Sequence, residues 1–356
     1  MAIPVSSFAF HLTYTCPLAC AHCCFNSSPQ VADRLDPAFV LEAIAHIPED
    51  VTLVAFTGGE PFLHGRNLVR YVEAAKSRSF KTRIVTSGYF ATSERAARLR
   101  FQPLADAGLD ELSISWDDYH EEFVAFDCVR TLVQTAREAG VYTAISSVQS
   151  VETLWTAERI RSALGDVGSE VEIISESGLN LTGRAETDLK DATFVSNGYL
   201  GPCPYVLTGP TMSAKNKLLA CCGVIPDTKR LTIREAPDPE EIPELIEASL
   251  RNPLFTGLFL RGPYSLMEAI ARKHDVTIPP RDKVGGNCEA CKLLFETPTI
   301  EAHLDAYLKD MSITFLNEML LLESLELLTP KHVMGLWGNS SATRTDLCRH
   351  EAGHAI

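Results

Sequence analysis

Six short runs rich in apolar and β-branched residues punctuate the first half of the chain, at 8–13, 51–57, 82–86, 111–116, 141–148 and 171–175. A helical pattern follows each of them. Asp36-Pro37 sets an N-cap directly before a proline at the first helical position. Ser93-Glu94 opens a further helix that Gly108 closes, and Gly140 closes the helix that begins near His120. Six strand–helix units in a row predict an α/β fold with a parallel sheet and right-handed crossovers. Periodicity does not decide whether that sheet curls into a barrel.

After Gly183 the rhythm breaks. Residues 197–219 are rich in Gly, Pro and Thr and predict a hairpin ahead of Cys221-Cys222. Residues 227–244 are acidic and proline-rich and read as a connector. A helical stretch starts at about Ile242, a Gly285-Gly286 loop precedes Cys288, and residues 299–328 are helical again. The chain after Gly338 reads as a loose tail. The apolar run 319–328 is interrupted by Glu323 and Glu326 and is too short to span a bilayer. Residues 1–10 lack the basic and apolar regions of a secretory signal. The expectation is a soluble cytoplasmic protein with no membrane partner.

Hydrophobic residues make up 46% and charged residues 22% of the 356, a globular balance, and the formal net charge is -14. Such a charge disfavours nucleic acid, whose phosphates call for a basic face, and suits a basic peptide or a neutral small molecule better. The eleven cysteines change the picture. In a reducing compartment, grouped cysteines point to metal or catalysis rather than to disulfides. Cys16-Pro-Leu-Ala-Cys20-Ala-His-Cys23 follows the first strand directly. Three thiolates from one loop can hold three corners of a [4Fe–4S] cube and leave the fourth iron open for a substrate or cofactor. A zinc site, or three small buried residues, is the plainer alternative. The loop lies at the carboxyl end of a strand, where parallel α/β folds build their sites.

Cys-x3-Cys-x2-Cys after a first strand resembles the radical S-adenosylmethionine (SAM) superfamily. The resemblance implies a partial (βα)6 TIM-like barrel, matching the six units. It also implies a SAM-binding [4Fe–4S] cluster on Cys16, Cys20 and Cys23, cleavage of SAM to a 5′-deoxyadenosyl radical, and hydrogen abstraction from substrate. Thr57-Gly58-Gly59-Glu60-Pro61 ends the second strand and matches the family's GGE motif, which implies that Gly58, Gly59 and Glu60 hold the SAM amino group. By the same resemblance His22 takes the place beside the adenine, Ser115 and Asp117 line the SAM site, and Arg184 reaches SAM or substrate. Asp117 and His120 are the candidate catalytic residues. For Asp117 and Asp118 helix capping is the alternative, and for His120 capping competes with proton transfer. Cys24 reads as a buried neighbour.

Cys203, Cys221, Cys288 and Cys291 form a second group, a complete four-thiolate set that could hold zinc or a second cluster. Cys222 is an alternative to Cys221. The layout resembles the Twitch module, a shortened SPASM domain, and implies one auxiliary [4Fe–4S] cluster. Thr297 stands where the longer domain has a further cysteine. Asn216, near the hairpin turn, tolerates a left-handed backbone. Four protein ligands leave no open iron, which suits an electron acceptor. The expected division is a barrel core at 1–185, an auxiliary module at 186–298 and a helical extension with tail at 299–356. His350-Glu351-Ala352-Gly353-His354 has the spacing of a zinc-protease motif, but glycine interrupts the helix it needs. Cys128 reads as core.

The expected function is oxidative modification, such as a cross-link, of a ribosomal peptide, with an external one-electron reductant such as flavodoxin or ferredoxin. The alternatives are oxidation of a small molecule such as a sugar or aminocyclitol, favoured by the lack of a peptide-recognition domain ahead of the barrel, and a non-catalytic iron–sulfur or zinc protein.

Overall fold

The computed structural model describes residues 5–149, 152–177, 179–191, 199–225 and 228–328. Cys348, the tail after Gly338 and the His350–His354 motif lie outside the described residues.

The first half alternates strand and helix as the pattern predicts. It runs β1 (Ser7–Thr13), α1 (Pro37–His46), β2 (Leu53–Gly58), α2 (Arg66–Ser77), β3 (Lys81–Thr86), α3 (Glu94–Asp106) and β4 (Glu111–Ser115). A single turn α4 (Asp118–Glu121) then precedes α5 (Phe126–Glu138), β5 (Tyr142–Gln149), α6 (Ala157–Leu164), β6 (Glu172–Ser177) and α7 (Ala185–Asp188). The carboxylate of Asp36 accepts from Ala38 N and Phe39 N, and the hydroxyl of Ser93 accepts from Ala96 N. Both caps fall where the sequence puts them. Gly108 and Gly140 hold positive φ just past their helices, the left-handed exit that glycine makes cheap.

Neighbouring strands from β1 to β6 pair in parallel and in sequence order. The sheet is not closed. It continues instead past β1 through β7 (Thr211–Met212), β8 (Lys217–Leu219) and β9 (Thr232–Glu235), in the order β6-β5-β4-β3-β2-β1-β7-β8-β9. β7 pairs parallel with β1, Ala9 opposite Thr211, and the β7–β8 hairpin is antiparallel. Asn216 holds φ 56 in its turn. The stretch read as a connector contains β9, which pairs with β8 across Lys217 and Glu235. Its exposed Arg234 and Glu235 give an edge strand no apolar alternation to be found by.

Two cores result. Phe8, Phe10, Leu12, Phe56, Ile84, Leu112, Ile114 and Trp116 pack inside the strand–helix half. The second core gathers α8 (Ile242–Ser249) through its C-terminal Leu250, α9 (Pro253–Arg261), α10 (Pro263–His274), α11 (Asn287–Glu296) and α12 (Pro298–Ser324). There Phe315 of α12 lies against Gly257 of α9, where a Cβ would meet its ring. Among the described residues no helix is long and apolar enough to cross a membrane.

His64 locks the site end of the sheet. It is buried behind β2, with Nε2 on Leu12 O at 3.1 Å and Nδ1 on the Tyr71 hydroxyl at 3.2 Å. Burial, with Arg34 nearby, lowers its pKa to about 4. The folded chain therefore keeps His64 neutral while the unfolded chain protonates it near 6.5. Its contribution is complete above pH 6.5 and is lost as the pH falls through about 4. Between pH 7.5 and 5 wild type should lose about 2 kcal/mol more stability than His64→Gln, measured by urea unfolding at each pH. Equal losses in the two proteins would show that His64 is not held neutral.

Candidate functional site

The carboxyl ends of β1, β2, β3 and β4 converge on the cysteine loop. Nothing regular supports that loop, so its backbone groups are satisfied one by one. Cys16 N donates to Ser28 O, Cys23 N to Cys20 O, and Thr15 bridges to Ser28. Gly59 N donates to Thr13 O at 2.6 Å and Glu60 N to Thr15 O at 3.0 Å. A Cβ on Gly58 would overlap the Thr13 carbonyl, and one on Gly59 the Thr15 carbonyl. The glycine pair is thus what lets the end of β2 lie against the root of the loop.

Cys16 and Cys20 are buried, and their thiols lie near that of Cys23. Burial pushes Cys16 up to about 12, helped by Glu60 and Cys23. Burial raises Cys20 further, helped by Asp117, Cys16 and Cys23. Thiols gathered this closely, two of them buried, need a cation between them to exist as thiolates. Backbone donors for those thiolates are already in place, Leu18 N on Cys16 Sγ at 3.5 Å and Ser27 N on Cys23 Sγ at 3.4 Å. The donor set fits an iron–sulfur cluster, whose sulfur ligands take such amide bonds.

Glu60 faces away from solvent. Its carboxylate accepts from the Thr86 hydroxyl at 2.8 Å, from Ser87 N and Oγ, and from Phe62 N. Burial raises its pKa while these donors oppose the rise. These bonds tie the end of β2 to the end of β3. Ser115 is half-buried at the end of β4, in register with Ser146 of β5.

Asp117 both caps and pairs. Its Oδ1 accepts from Tyr119 N, His120 N and His120 Nδ1, the last at 2.8 Å. Its Oδ2 faces His22 Nε2 at 3.4 Å. Burial alone would raise Asp117, but the imidazoles of His120 and His22 outweigh it and hold the carboxyl well below the usual range. The His22 ring stacks on Tyr119 and meets His120 edge-on. Asp118 instead accepts from Leu154 N and Trp155 N, pinning the segment after β5. Sequence reasoning placed His22 and His120 at one site but missed that Asp117 joins them.

Arg184 holds the loop from below. Its guanidinium donates to Cys20 O at 2.8 Å and to Ser27 O at 2.7 Å, and Arg184 N donates to Cys23 O. Gly183, at φ 60, packs where a Cβ would overlap the carbonyls of Cys23 and Cys24.

The second group of cysteines assembles around the start of α11. Burial raises Cys203 to about 11, followed by the effect of Cys222. Burial also raises Cys288 and Cys291, with Cys222 and Cys203 among the neighbours that add to it. Cys24 of the first loop reaches Cys288 as well. Cys222 thus acts on Cys203, Cys288 and Cys291. Cys221 interacts with Cys222 and Cys203. His11, fully buried on β1, approaches Cys222 O through Nε2 at 3.2 Å. The Gly285-Gly286 turn is held by Glu289, which accepts from Gly285 N and Leu181 N, while Glu289 N donates to Asn180 Oδ1. Cys128 sits half-buried on α5, away from both groups.

Residues 10–159 match the radical SAM superfamily. The chain carries a radical SAM superfamily domain. That family implies a [4Fe–4S] cluster and SAM. YydG of Bacillus subtilis, named as a peptide biosynthesis protein, is 26% identical over 132 residues, 36% of this chain and 41% of that protein. The PqqA peptide cyclase of Methylocella silvestris is 38% identical over 120 residues, 32% of this chain and 30% of the cyclase. This chain thus spans less than half the length of these curated relatives. Among solved structures, Streptococcus suis SuiB bound to its precursor peptide SuiA superposes with a TM-score of 0.51 at 13% identity, covering 72% of this chain and 67% of SuiB. The SAM-bound form of SuiB gives 0.50 at 16% identity, over 71% and 67%. These likenesses show the shared α/β fold.

The clamp is testable in the radical SAM domain without any ligand. Arg184→Lys keeps the charge but loses the fork that reaches two carbonyls. Amides of residues 16–28 should exchange with solvent about tenfold faster, corresponding to about 1.4 kcal/mol. Exchange in β3 to β5 should be unchanged. Unaltered exchange in the loop would show that Arg184 does not hold it.

Proposed function

We propose that this chain is a radical SAM oxidoreductase acting on a peptide, with two [4Fe–4S] clusters. The observation that carries the reading is the loop trio Cys16, Cys20 and Cys23, two of them buried, supplied with amide donors and set against Gly58-Gly59 at the strand ends. The clusters and SAM supply the chemistry when bound: a 5′-deoxyadenosyl radical that takes a hydrogen atom from substrate, and an acceptor for the electron left behind. The chain's residues do the holding and the shielding. Cys16, Cys20 and Cys23 bind the first cluster. Leu18 N and Ser27 N steady its sulfurs. Gly58 and Gly59 seat the end of β2 against the root of the loop, beside the SAM site, and Glu60 fixes the ends of β2 and β3 around it. His22, oriented by Asp117, lies alongside the adenine, with Ser115 near the ribose side. Arg184 acts on SAM by keeping the loop in place.

Cys203, Cys222, Cys288 and Cys291 bind the second cluster, in the module that begins at residue 186. The choice of Cys222 over Cys221 is supported by its effect on the other three. A peptide substrate is supported by the relatives, among them a peptide cyclase and a protein named for peptide biosynthesis, and by the peptide-bound SuiB structure that shares the fold. An external one-electron reductant is required.

Anaerobically reconstituted protein given dithionite and SAM should release 5′-deoxyadenosine slowly without any substrate. Alanine at Cys16, Cys20 or Cys23 should abolish the release, measured by chromatography. Cys288→Ala and Cys291→Ala should spare it while halving the iron that each chain retains. No 5′-deoxyadenosine from iron-replete wild type would overturn the enzymatic reading. Zinc in place of iron at the second group would overturn the second cluster alone.

A further inference from the structure

Cys20, His22 and His120 each bring a ligand atom within 4.8 Å of the other two. These are one thiol and two imidazoles, a donor set that divalent zinc takes readily. The array has more order than a chance encounter of polar groups. Each imidazole spends one nitrogen on the same carboxylate: His120 Nδ1 donates to Asp117 Oδ1 at 2.8 Å, and His22 Nε2 faces Asp117 Oδ2 at 3.4 Å. That leaves His120 Nε2 and His22 Nδ1 for another partner. His22 Nδ1 is a buried atom with no hydrogen-bond partner. A buried polar atom left unmatched costs stability unless something binds it. A carboxylate behind a histidine is the usual support of a metal-bound imidazole, because it fixes the ring and raises its basicity. Here one carboxylate, itself buried, supports two rings.

We propose that Cys20, His22 and His120 form a mononuclear site for a divalent transition ion of the zinc type, with Asp117 fixing both imidazoles and water completing the coordination. Bond lengths of about 2.3 Å to sulfur and about 2.0–2.1 Å to nitrogen put tetrahedral donors about 3.4–3.6 Å apart. Closing from within 4.8 Å takes about an ångström of side-chain movement. One Cys20 thiolate and one Asp117 carboxylate then balance the two positive charges. Cys20 cannot serve this ion and a cluster together. The site therefore belongs to the chain before cluster assembly, and a bound zinc ion blocks assembly. Only this competition rests on the proposed cluster role of Cys20; the mononuclear site stands on its own geometry.

The test uses full-length apoprotein, free of iron, titrated anaerobically with Co2+ and read by the visible absorption of thiolate-bound cobalt. His22→Ala and His120→Ala should each weaken one binding event at least tenfold. Asp117→Asn should weaken it 10- to 100-fold, the range for a lost supporting carboxylate. Cys16→Ala and Cys23→Ala should leave that event intact, which separates it from a three-cysteine site. Cadmium NMR of wild type should show a mixed sulfur–nitrogen resonance beside any all-sulfur signal from the second group, so that a variant that folds poorly does not decide the matter. Unchanged binding in both histidine variants, loss of binding in Cys16→Ala, or an all-sulfur cadmium spectrum would each overturn the site. Zn2+ added before iron and sulfide should lower cluster loading of wild type but not of His120→Ala. If cobalt binds as expected and Zn2+ leaves loading unchanged, the competition fails and the site survives.

Discussion

A loop of thiols without regular structure keeps its shape only if its carbonyls are held, and in this fold a single side chain holds two of them. The Arg184 guanidinium bonds the carbonyls of Cys20 and Ser27, at the middle and the end of the loop. Gly183 beside it lies so close to the peptide between Cys23 and Cys24 that no Cβ fits. The planar fork of arginine suits this work, since two donors fixed in one plane set a distance as well as a contact. Arg184 also brings a positive charge toward the thiols, which favours ionised Cys16 against the cost of burial.

The same stretch of chain faces the second cysteine group. Asn180 and Leu181 bond Glu289, which lies between Cys288 and Cys291. Residues 179–185 thus bond both the first loop and the start of the helix that carries Cys288 and Cys291. The shared sheet adds to this, because β7 pairs directly with β1, the strand that leads into the first loop. His11 of β1 reaches Cys222 O from the other side. The two groups are therefore positioned by one framework, and a shift at the end of β6 would be felt at both.

Much of this was legible in the chain. The six parallel strands announce themselves as short runs rich in apolar and β-branched residues, each followed by a helical pattern. The caps at Asp36 and Ser93 and the glycine exits at 108 and 140 are local rules locally obeyed. Cysteine spacing gave the first group, since its members sit within one short loop. β9 was hidden because an exposed edge strand carries charge rather than alternation. The roles of Asp117 and Arg184 were hidden for another reason. Their partners lie far along the chain: Asp117 meets His22 and Arg184 meets Cys20 and Ser27. No periodicity encodes such meetings. The choice between Cys221 and Cys222 was equally out of reach of the sequence, because two adjacent cysteines share one spacing to Cys203 and to the Cys288–Cys291 pair.

The electrostatic pattern follows from this arrangement. Neutral thiols are tolerable in a buried site, but thiolates need compensation. Around the first loop the compensation is partial: two amides, one guanidinium, and against them Glu60 and Asp117. The carboxylates work against ionisation of the thiols, yet each is fully committed elsewhere, Glu60 to β3 and Asp117 to two histidines. They were placed to build the strand ends, and the loop inherits their field. The balance of charge is left for a bound cation to complete, and that makes the loop selective for whatever cation can satisfy three soft donors at once. Cys20 is the thiol where this competition is sharpest, because it lies within reach of both the other cysteines and the paired imidazoles.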